Sequence, residues 1–252
     1  MIDTHAHLNI EDFDQDINEV IERAKQAKLS KIIVIGMDEA SNKKAIELAE
    51  TYDLIYATVG IHPGYLLNSN VSSIEKFLSH PKVVAIGECG IDLYWDTSNV
   101  LNQKAIFKQQ IELSEKYQLP LVIHTRNSFT EAYDLIKPFK GKVTGVFHCF
   151  SSNLEDAKKA IDLGFYIGID GPITFKKNDV LKEIIEAIDL KHILIETDSP
   201  YMAPTPYRGK RNEPSYLPFI AEKIAEIKHI SVDEVIHITK MNSYKLFKKL
   251  EG

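Results

Sequence analysis

Two histidines one residue apart, His5 and His7, follow the first apolar run of the chain. Alternate residues of an extended strand share a face, so both imidazoles point the same way, as a single bound cation requires. Four more metal-competent groups come directly out of other apolar runs. They are Glu88 after Val83–Gly87, His124 after Leu121–Ile123, His148 after Val143–Phe147, and Asp198 within Glu196-Thr197-Asp198. A carboxylate in such a place is costly unless it is paired, protonated or bound to a cation, which gives Glu88 and Asp198 the most weight. Singly, each histidine has an ordinary alternative as a hydrogen-bonded core residue. The other histidines show the contrast. His80 precedes a proline, His192 lies in a helix-to-strand connection, and His229 and His237 belong to terminal helical segments, all positions that suit surface or capping residues.

Six ligands exceed the three protein groups that one catalytic zinc-like ion usually takes. Two ions sharing a carboxylate fit better, with His5, His7 and Asp198 on one, His124 and His148 on the other, and Glu88 bridging. Oxygen and nitrogen donors without thiolate favour Mg, Mn, Zn, Ni or Fe and do not choose among them. Cys89 and Cys149 each follow a candidate ligand, and strand parity turns them away from it. They are expected to be small buried hydrophobes.

Groups so far apart in sequence can meet only if the chain brings their strand ends together. Eight short β-branched runs recur: Met1–Thr4, Lys31–Ile35, Ile55–Val59, Val83–Gly87, Leu121–Ile123, Val143–Phe147, Phe165–Ile169 and Ile193–Thr197. Amphipathic stretches separate them: Asp14–Ala27, Ser41–Thr51, Ser72–Leu78, Asn102–Tyr117, Phe129–Ile136, Asn153–Leu163 and Asp179–Ile188. Strand and helix in alternation predict an α/β fold, a single (β/α)8 TIM barrel over residues 1–252, in which chemistry sits at the C-terminal ends of the strands. A doubly wound open sheet is the alternative, because periodicity does not prove closure. A Pro/Arg-rich loop, Ser199–Pro214, and two or three extra C-terminal helices over Tyr216–Lys228, Ser231–Thr239 and Asn242–Leu250 are expected to complete the chain.

The 252 residues are 44% hydrophobic and 26% charged, ordinary for one globular core, and the net charge of −6 argues against a broad basic face that coats a nucleic-acid duplex. No stretch approaches the roughly 18 apolar residues of a membrane span, and the start shows no signal region. Two cysteines suggest a reducing compartment, so a cytoplasmic protein with no membrane association and no obligate protein partner is expected.

The whole chain resembles the TatD family of metal-dependent deoxyribonucleases, within the amidohydrolase-like superfamily. The resemblance rests on Asp3-Thr-His-Ala-His7, Val59-Gly-Ile-His-Pro63, Gly87-Glu-Cys-Gly-Ile-Asp-Leu-Tyr-Trp-Asp96, Leu121-Val-Ile-His-Thr-Arg126, His148-Cys-Phe-Ser151, Ile195-Glu-Thr-Asp-Ser-Pro-Tyr201 and Pro206-Tyr-Arg-Gly-Lys-Arg-Asn-Glu-Pro214. It implies a barrel, a two-metal site with ligands at His5, His7, Glu88, His124, His148 and Asp198, and nuclease activity on DNA ends. Cys89 and Leu93 depart from the commoner aliphatic and aromatic residues. Asp170 stands where serine is commoner, and would repel phosphate if it faced the site.

The expected reaction is phosphodiester hydrolysis by a hydroxide activated between two divalent ions, with Asp198 as ligand and proton acceptor and Glu88 as bridge. Arg126, on the parity of His124, together with Arg208, Lys210 and Arg211 in the loop after the eighth strand, are expected to contact phosphate, and His62, not needed as a ligand, to contact phosphate or to support a ligand from behind. Tyr65, Tyr94, Trp95, Tyr201 and Tyr207 are candidates to stack on unpaired bases. Lacking a long basic stripe, the chain is expected to act exonucleolytically on single-stranded DNA ends. The alternatives are a carbon-centre hydrolase, such as a D-aminoacyl-tRNA deacylase, lactonase or amidase, and a non-enzymatic metal-binding scaffold.

Overall fold

Strands covered on both faces tolerate no polar alternation, and the eight runs accordingly fold as strands buried nearly throughout. The computed structural model describes residues 1–66, 70–95 and 97–251, so Asp96 of the Gly87–Asp96 block lies outside the described residues. In chain order the elements are β1 (Ile2–Ala6), α1 (Ile17–Gln26), β2 (Lys31–Val34), α2 (Glu39–Thr51), β3 (Ile55–Val59), α3 (Ser72–Glu75), β4 (Val83–Asp92), α4 (Val100–Tyr117) and β5 (Leu121–Arg126). They continue with α5 (Phe129–Ile136), β6 (Gly145–Phe147), α6 (Leu154–Asp162), β7 (Phe165–Ile169), α7 (Asp179–Ala187), β8 (Ile193–Ile195), α8 (Leu217–Lys228) and α9 (Val232–Leu246).

The strands pair in parallel in the order β1 to β8. The ring closes where β1 meets the end of β8. Ala6 bridges Ser199, the His7 N–H donates to the Ser199 carbonyl at 2.7 Å, and the Asp198 N–H donates to the His5 carbonyl at 2.9 Å. This is a TIM barrel with extra C-terminal helices. The doubly wound alternative fails because it requires a reversal in strand order that the sheet does not have.

Two buried clusters divide the apolar residues. The larger lies between the strands and the surrounding helices. The smaller gathers Ile33, Tyr56, Val84, Val122, Val146 and Leu194, one parity of their strands, against Leu246, Phe247 and Leu250. It fills the barrel interior, and the end of α9 plugs the N-terminal mouth. Val122 and Val146 share parity with His124 and His148, so those imidazoles also point inward, two residues further along.

Two expectations need correction. β4 does not stop near Gly87 but runs ten residues to Asp92, paired with β5 from Cys89↔Ile123 to Asp92↔Arg126. The last two helical segments are one helix, α9, followed by a turn at Lys248–Glu251. Nothing in Lys240–Met241 breaks a helix, and Asn242 turns inward to donate to the Leu190 and Ile193 carbonyls. Among the described residues no helix is long and apolar enough to cross a membrane.

The loop after β8 is tied down along part of its length. Arg211 donates to both carboxylate oxygens of Asp16 at 2.8 and 2.6 Å, and Arg23 donates to Glu213 at 2.7 Å. The Arg211 guanidinium beside Asp16, with Arg23, holds that carboxyl below the usual range. Asn212, fully buried, donates to the Thr197 and Tyr201 carbonyls.

Candidate metal centre

Glu88 owes its position to an irregularity in β4. The β4–β5 register shifts between Ile86 and Cys89, and such a bulge re-aims the side chain next to it. Gly87 has φ +155°, and a Cβ there would lie 2.6 Å from the Val122 carbonyl oxygen, so no side chain fits at that approach. The Glu88 N–H is held by the Gly36 carbonyl at 2.7 Å.

The two carboxylate oxygens of Glu88 face two different groups of residues. Oε2 lies 3.6 Å from His5 Nε2 and 3.7 Å from His7 Nε2. Asp198 Oδ1 lies 3.6 and 3.4 Å from the same two nitrogens. Oε1 lies 2.8 Å from His148 Nε2, 3.0 Å from His124 Nδ1 and 3.6 Å from His62 Nε2. All six predicted ligand residues therefore meet at one barrel mouth. This His/Glu/Asp cluster could hold metal ions: its nitrogen and oxygen donors fall into overlapping groups, His5 with Glu88 and His148, His5 with His7 and Asp198, and His62 with Glu88 and His124.

Electrostatics within the cluster are mutual. Burial pushes the Glu88 carboxyl up, but the field of His148, with hydrogen bonds from His124 and His148, outweighs it and holds the group well below its ordinary value. Burial likewise opposes charge on Asp198, and the His7 bond with the fields of His5 and His148 lowers it on balance. For His148, burial is overcome by Glu88 and Glu196, which raise it well above an ordinary imidazole. Any divalent ion competes with protons for such nitrogens.

Two supporting carboxylates were not singled out from sequence. Asp92 Oδ2 lies 2.9 Å from His124 Nε2, which leaves Nδ1 to face Glu88. Glu196, fully buried, accepts from the Cys149 N–H at 2.6 Å and lies 3.6 Å from His148 Nδ1. Carboxylates of this kind orient ligand histidines and raise their basicity. The signal that marked Glu88 and Asp198, a carboxylate leaving an apolar run, also marks Glu196. Asp92 was hidden by ending β4 too early. Asp92→Asn is expected to weaken the first binding of metal to the His124 side about 10- to 100-fold, measured by titration of metal-free protein; unchanged affinity would leave Asp92 without this role. Asp3 completes the frame, accepting from the Thr197 N–H and Oγ1 at 3.0 and 2.6 Å. Its burial pushes the carboxyl up to about 7 despite those bonds.

The expected substrate contacts separate into three kinds. His62, Arg126, Tyr94 and Tyr201 lie around the mouth. The Arg126 guanidinium lies 3.8 Å from the Tyr94 ring centroid and 5.3 Å from that of Trp95. The Tyr201 ring lies 5.9 Å from His7, and the Tyr65 ring 5.8 Å from His62. Arg208 is exposed and rests on Phe175 at 4.3 Å, with Lys210 nearby over Tyr207. Arg211 and Tyr207 are taken up by the fold: Arg211 is engaged by Asp16, and Tyr207 stacks on Tyr216 at 4.1 Å. Cys89 is a buried hydrophobe as expected. Cys149 is not, being half-buried with its sulfur among the carboxylates of Asp170 and Asp198.

A cleft of about 360 Å³ opens beside the His124 side, lined in part by His62, Pro63, Asp92, Trp95, Asn99 and Gln103. Gly64 donates its N–H to His62 Nδ1 at 3.0 Å, and burial lowers the His62 pKa to about 3. The neutral ring therefore carries its proton on Nε2, the atom that faces the cluster, and presents a donor there.

A family model described as TatD related DNase matches residues 2–248. An uncharacterized metal-dependent hydrolase of Bacillus subtilis (strain 168), YabD, is 42% identical over 252 residues, covering 98% of this chain and 99% of the relative. The Escherichia coli (strain K12) metal-dependent hydrolase YjjV is 32% identical, with 98% and 97% covered. The crystal structure of that TatD homologue superposes with a TM-score of 0.92 over 98% of both chains. A TatD family hydrolase from Entamoeba histolytica, 28% identical, gives 0.85 over 98% of this chain and 97% of its own.

Proposed function

The chain belongs to the TatD-related DNase family of metal-dependent hydrolases, and on that premise we propose that it cleaves phosphodiester bonds at single-stranded DNA ends with two divalent ions. The observation that carries this reading is the division of Glu88, one oxygen toward His5 and His7, the other toward His124 and His148. His5, His7 and Asp198 would hold one ion and His124 and His148 the other, with Glu88 available to both. Such a pair neutralises charge on a phosphoryl group and acidifies water.

The remaining steps fall to the chain's own side chains. Asp198, kept ionised by His7 and His5, is the acceptor for the proton of the attacking water. His62 donates from Nε2 to a phosphoryl oxygen, which is why it is assigned to substrate rather than to metal. A ligand nitrogen at Nε2 would need the proton on Nδ1, where the Gly64 N–H already points. Arg126, stacked on Tyr94, offers charge to the next phosphate. The Tyr94 and Trp95 rings, 54% and 75% exposed, offer faces to unpaired bases. Arg208 and Lys210 supply further charge from the loop after β8. These few cations suit a short terminal segment of a strand in a protein of net charge −6.

Trp95→Ala is expected to raise KM for a single-stranded oligonucleotide about tenfold with kcat little changed, since stacking contributes about 1–3 kcal/mol per base. An unchanged KM would remove Trp95 from the substrate site. The reading as a whole is tested by offering metal-loaded protein single-stranded DNA, a D-aminoacyl-tRNA and a lactone, with Mg, Mn or Zn. Release of nucleotides from DNA ends is the expected result. Turnover of the tRNA ester or lactone with DNA untouched would overturn it in favour of carbon-centre hydrolysis.

A further inference from the structure

Cys149 and Asp170 serve neither ion of the proposed pair, yet both are directed into the same wall of the barrel mouth. One ligand atom each from Cys149, Asp170 and Asp198 lie within 4.8 Å of one another. Asp170 follows β7 and is 1% exposed, and its Oδ2 is buried with no hydrogen-bond partner. An orphaned carboxylate oxygen is expensive to bury. Its surroundings make the cost larger, because Asp198 and Glu196 both add negative charge there. The Cys149 thiol is directed at Asp170, while its backbone N–H is fixed on Glu196 at 2.6 Å, so rotation about Cα–Cβ is the freedom left to the sulfur.

We propose that Cys149, Asp170 and Asp198 form a third cation site, next to the two-ion centre and selective for softer divalent metals. A thiolate with carboxylates favours zinc, cobalt(II) or iron(II) over magnesium. Ligand bonds of about 2.0–2.3 Å bring the three donors together with only small side-chain rotations. An ion there gives Oδ2 of Asp170 a partner and offsets the clustered negative charge. It also draws on Asp198, which faces His5 and His7 as well, and so couples the third site to the orientation of that residue.

Cobalt(II) titration of metal-free protein tests this, because a cysteine ligand adds a near-ultraviolet sulfur-to-cobalt charge-transfer band that histidine and carboxylate ligands lack. Wild-type protein is expected to take three cobalt ions per chain with that band, and two magnesium ions. Cys149→Ser is expected to lose the band and one cobalt while keeping two. Asp170→Asn is expected to retain its fold by circular dichroism and to bind the band-producing ion at least tenfold more weakly. Two cobalt ions without the band in wild type, or an unchanged cobalt count in Cys149→Ser, would overturn the third site and leave the two-ion centre standing. The band with a single bound cobalt would support the cysteine site and overturn the pair.

Discussion

Glu88→Gln is expected to lower kcat/KM on single-stranded DNA by about a thousandfold or more, in the range of about 4 kcal/mol of lost transition-state stabilisation. Glutamine keeps the length and shape of the side chain. It replaces one of the two facing oxygens by an NH2 donor and removes the charge that both halves of the cluster share. Metal content should fall with activity, to one tightly held ion or fewer in place of the proposed pair. In the metal-free protein the variant is expected to lose about 3–5 kcal/mol of stability, because His148 loses its nearest counter-charge inside the barrel and His124 keeps only Asp92 of its two carboxylate partners. Glu50→Gln supplies the control. Glu50 lies 3.1 Å from His80 on the exposed surface, where such a pair contributes about 1 kcal/mol or less. A Glu88→Gln protein with full metal content and undiminished kcat/KM would exclude a bridging carboxylate.

Stripping the metal should abolish hydrolysis and loosen the fold in the same experiment. An ion present at 100 to 1,000 times its Kd stabilises the native state by about 2.7–4.1 kcal/mol for one site. For a chain of this length each kcal/mol moves Tm by about 2–4 °C, so chelation is expected to lower Tm by roughly 5–16 °C. Adding back Mg, Mn or Zn should restore both activity and Tm, and calorimetry beside a nuclease assay reads the two together. Protons compete with metal for the same imidazoles, so the Tm gap between loaded and stripped protein narrows as pH falls. Chelated protein that still cleaves DNA at the original rate would leave the cluster without a catalytic part. Restored Tm with no recovery of hydrolysis on any of the three ester substrates would make the metals structural.

Most of the barrel could be read from the chain because its signals are local. A run such as Ile55–Val59 is buried on both sides wherever it lies, and alternation with amphipathic stretches leaves few ways to cover it. The candidate ligands were legible for a related reason, as polar groups where apolar strands end. That rule located Glu88 although its assumed strand end was wrong. β4 passes through Glu88 and continues to Asp92, and a register shift aims the carboxylate inward. Bulges depend on pairing with a neighbouring strand, so periodicity along one strand does not reveal them.

Residues whose role depends on a distant partner were harder to place. Arg208, Lys210 and Arg211 look alike within one loop, but Arg211 finds Asp16 near the start of α1 and is spent on that contact. Tyr207 looks like Tyr201 until Tyr216 is seen stacked against it. Cys149 was assigned by strand parity, yet β6 ends at Phe147 and Cys149 takes φ +42°, so parity no longer applied.

By itself the sequence determined the kind and order of the ligand-competent groups and the alternation of strands and helices that carries them. Those follow from side-chain chemistry and short-range periodicity, which every segment carries alone. Only the tertiary structure decided that Glu88 turns one oxygen to His5 and His7 and the other to His124 and His148, that Asp92 and Glu196 stand behind the histidines, and that Asp170 meets Cys149. Each of these joins residues on different strands, and their distances are set by sheet register and barrel closure rather than by spacing along the chain.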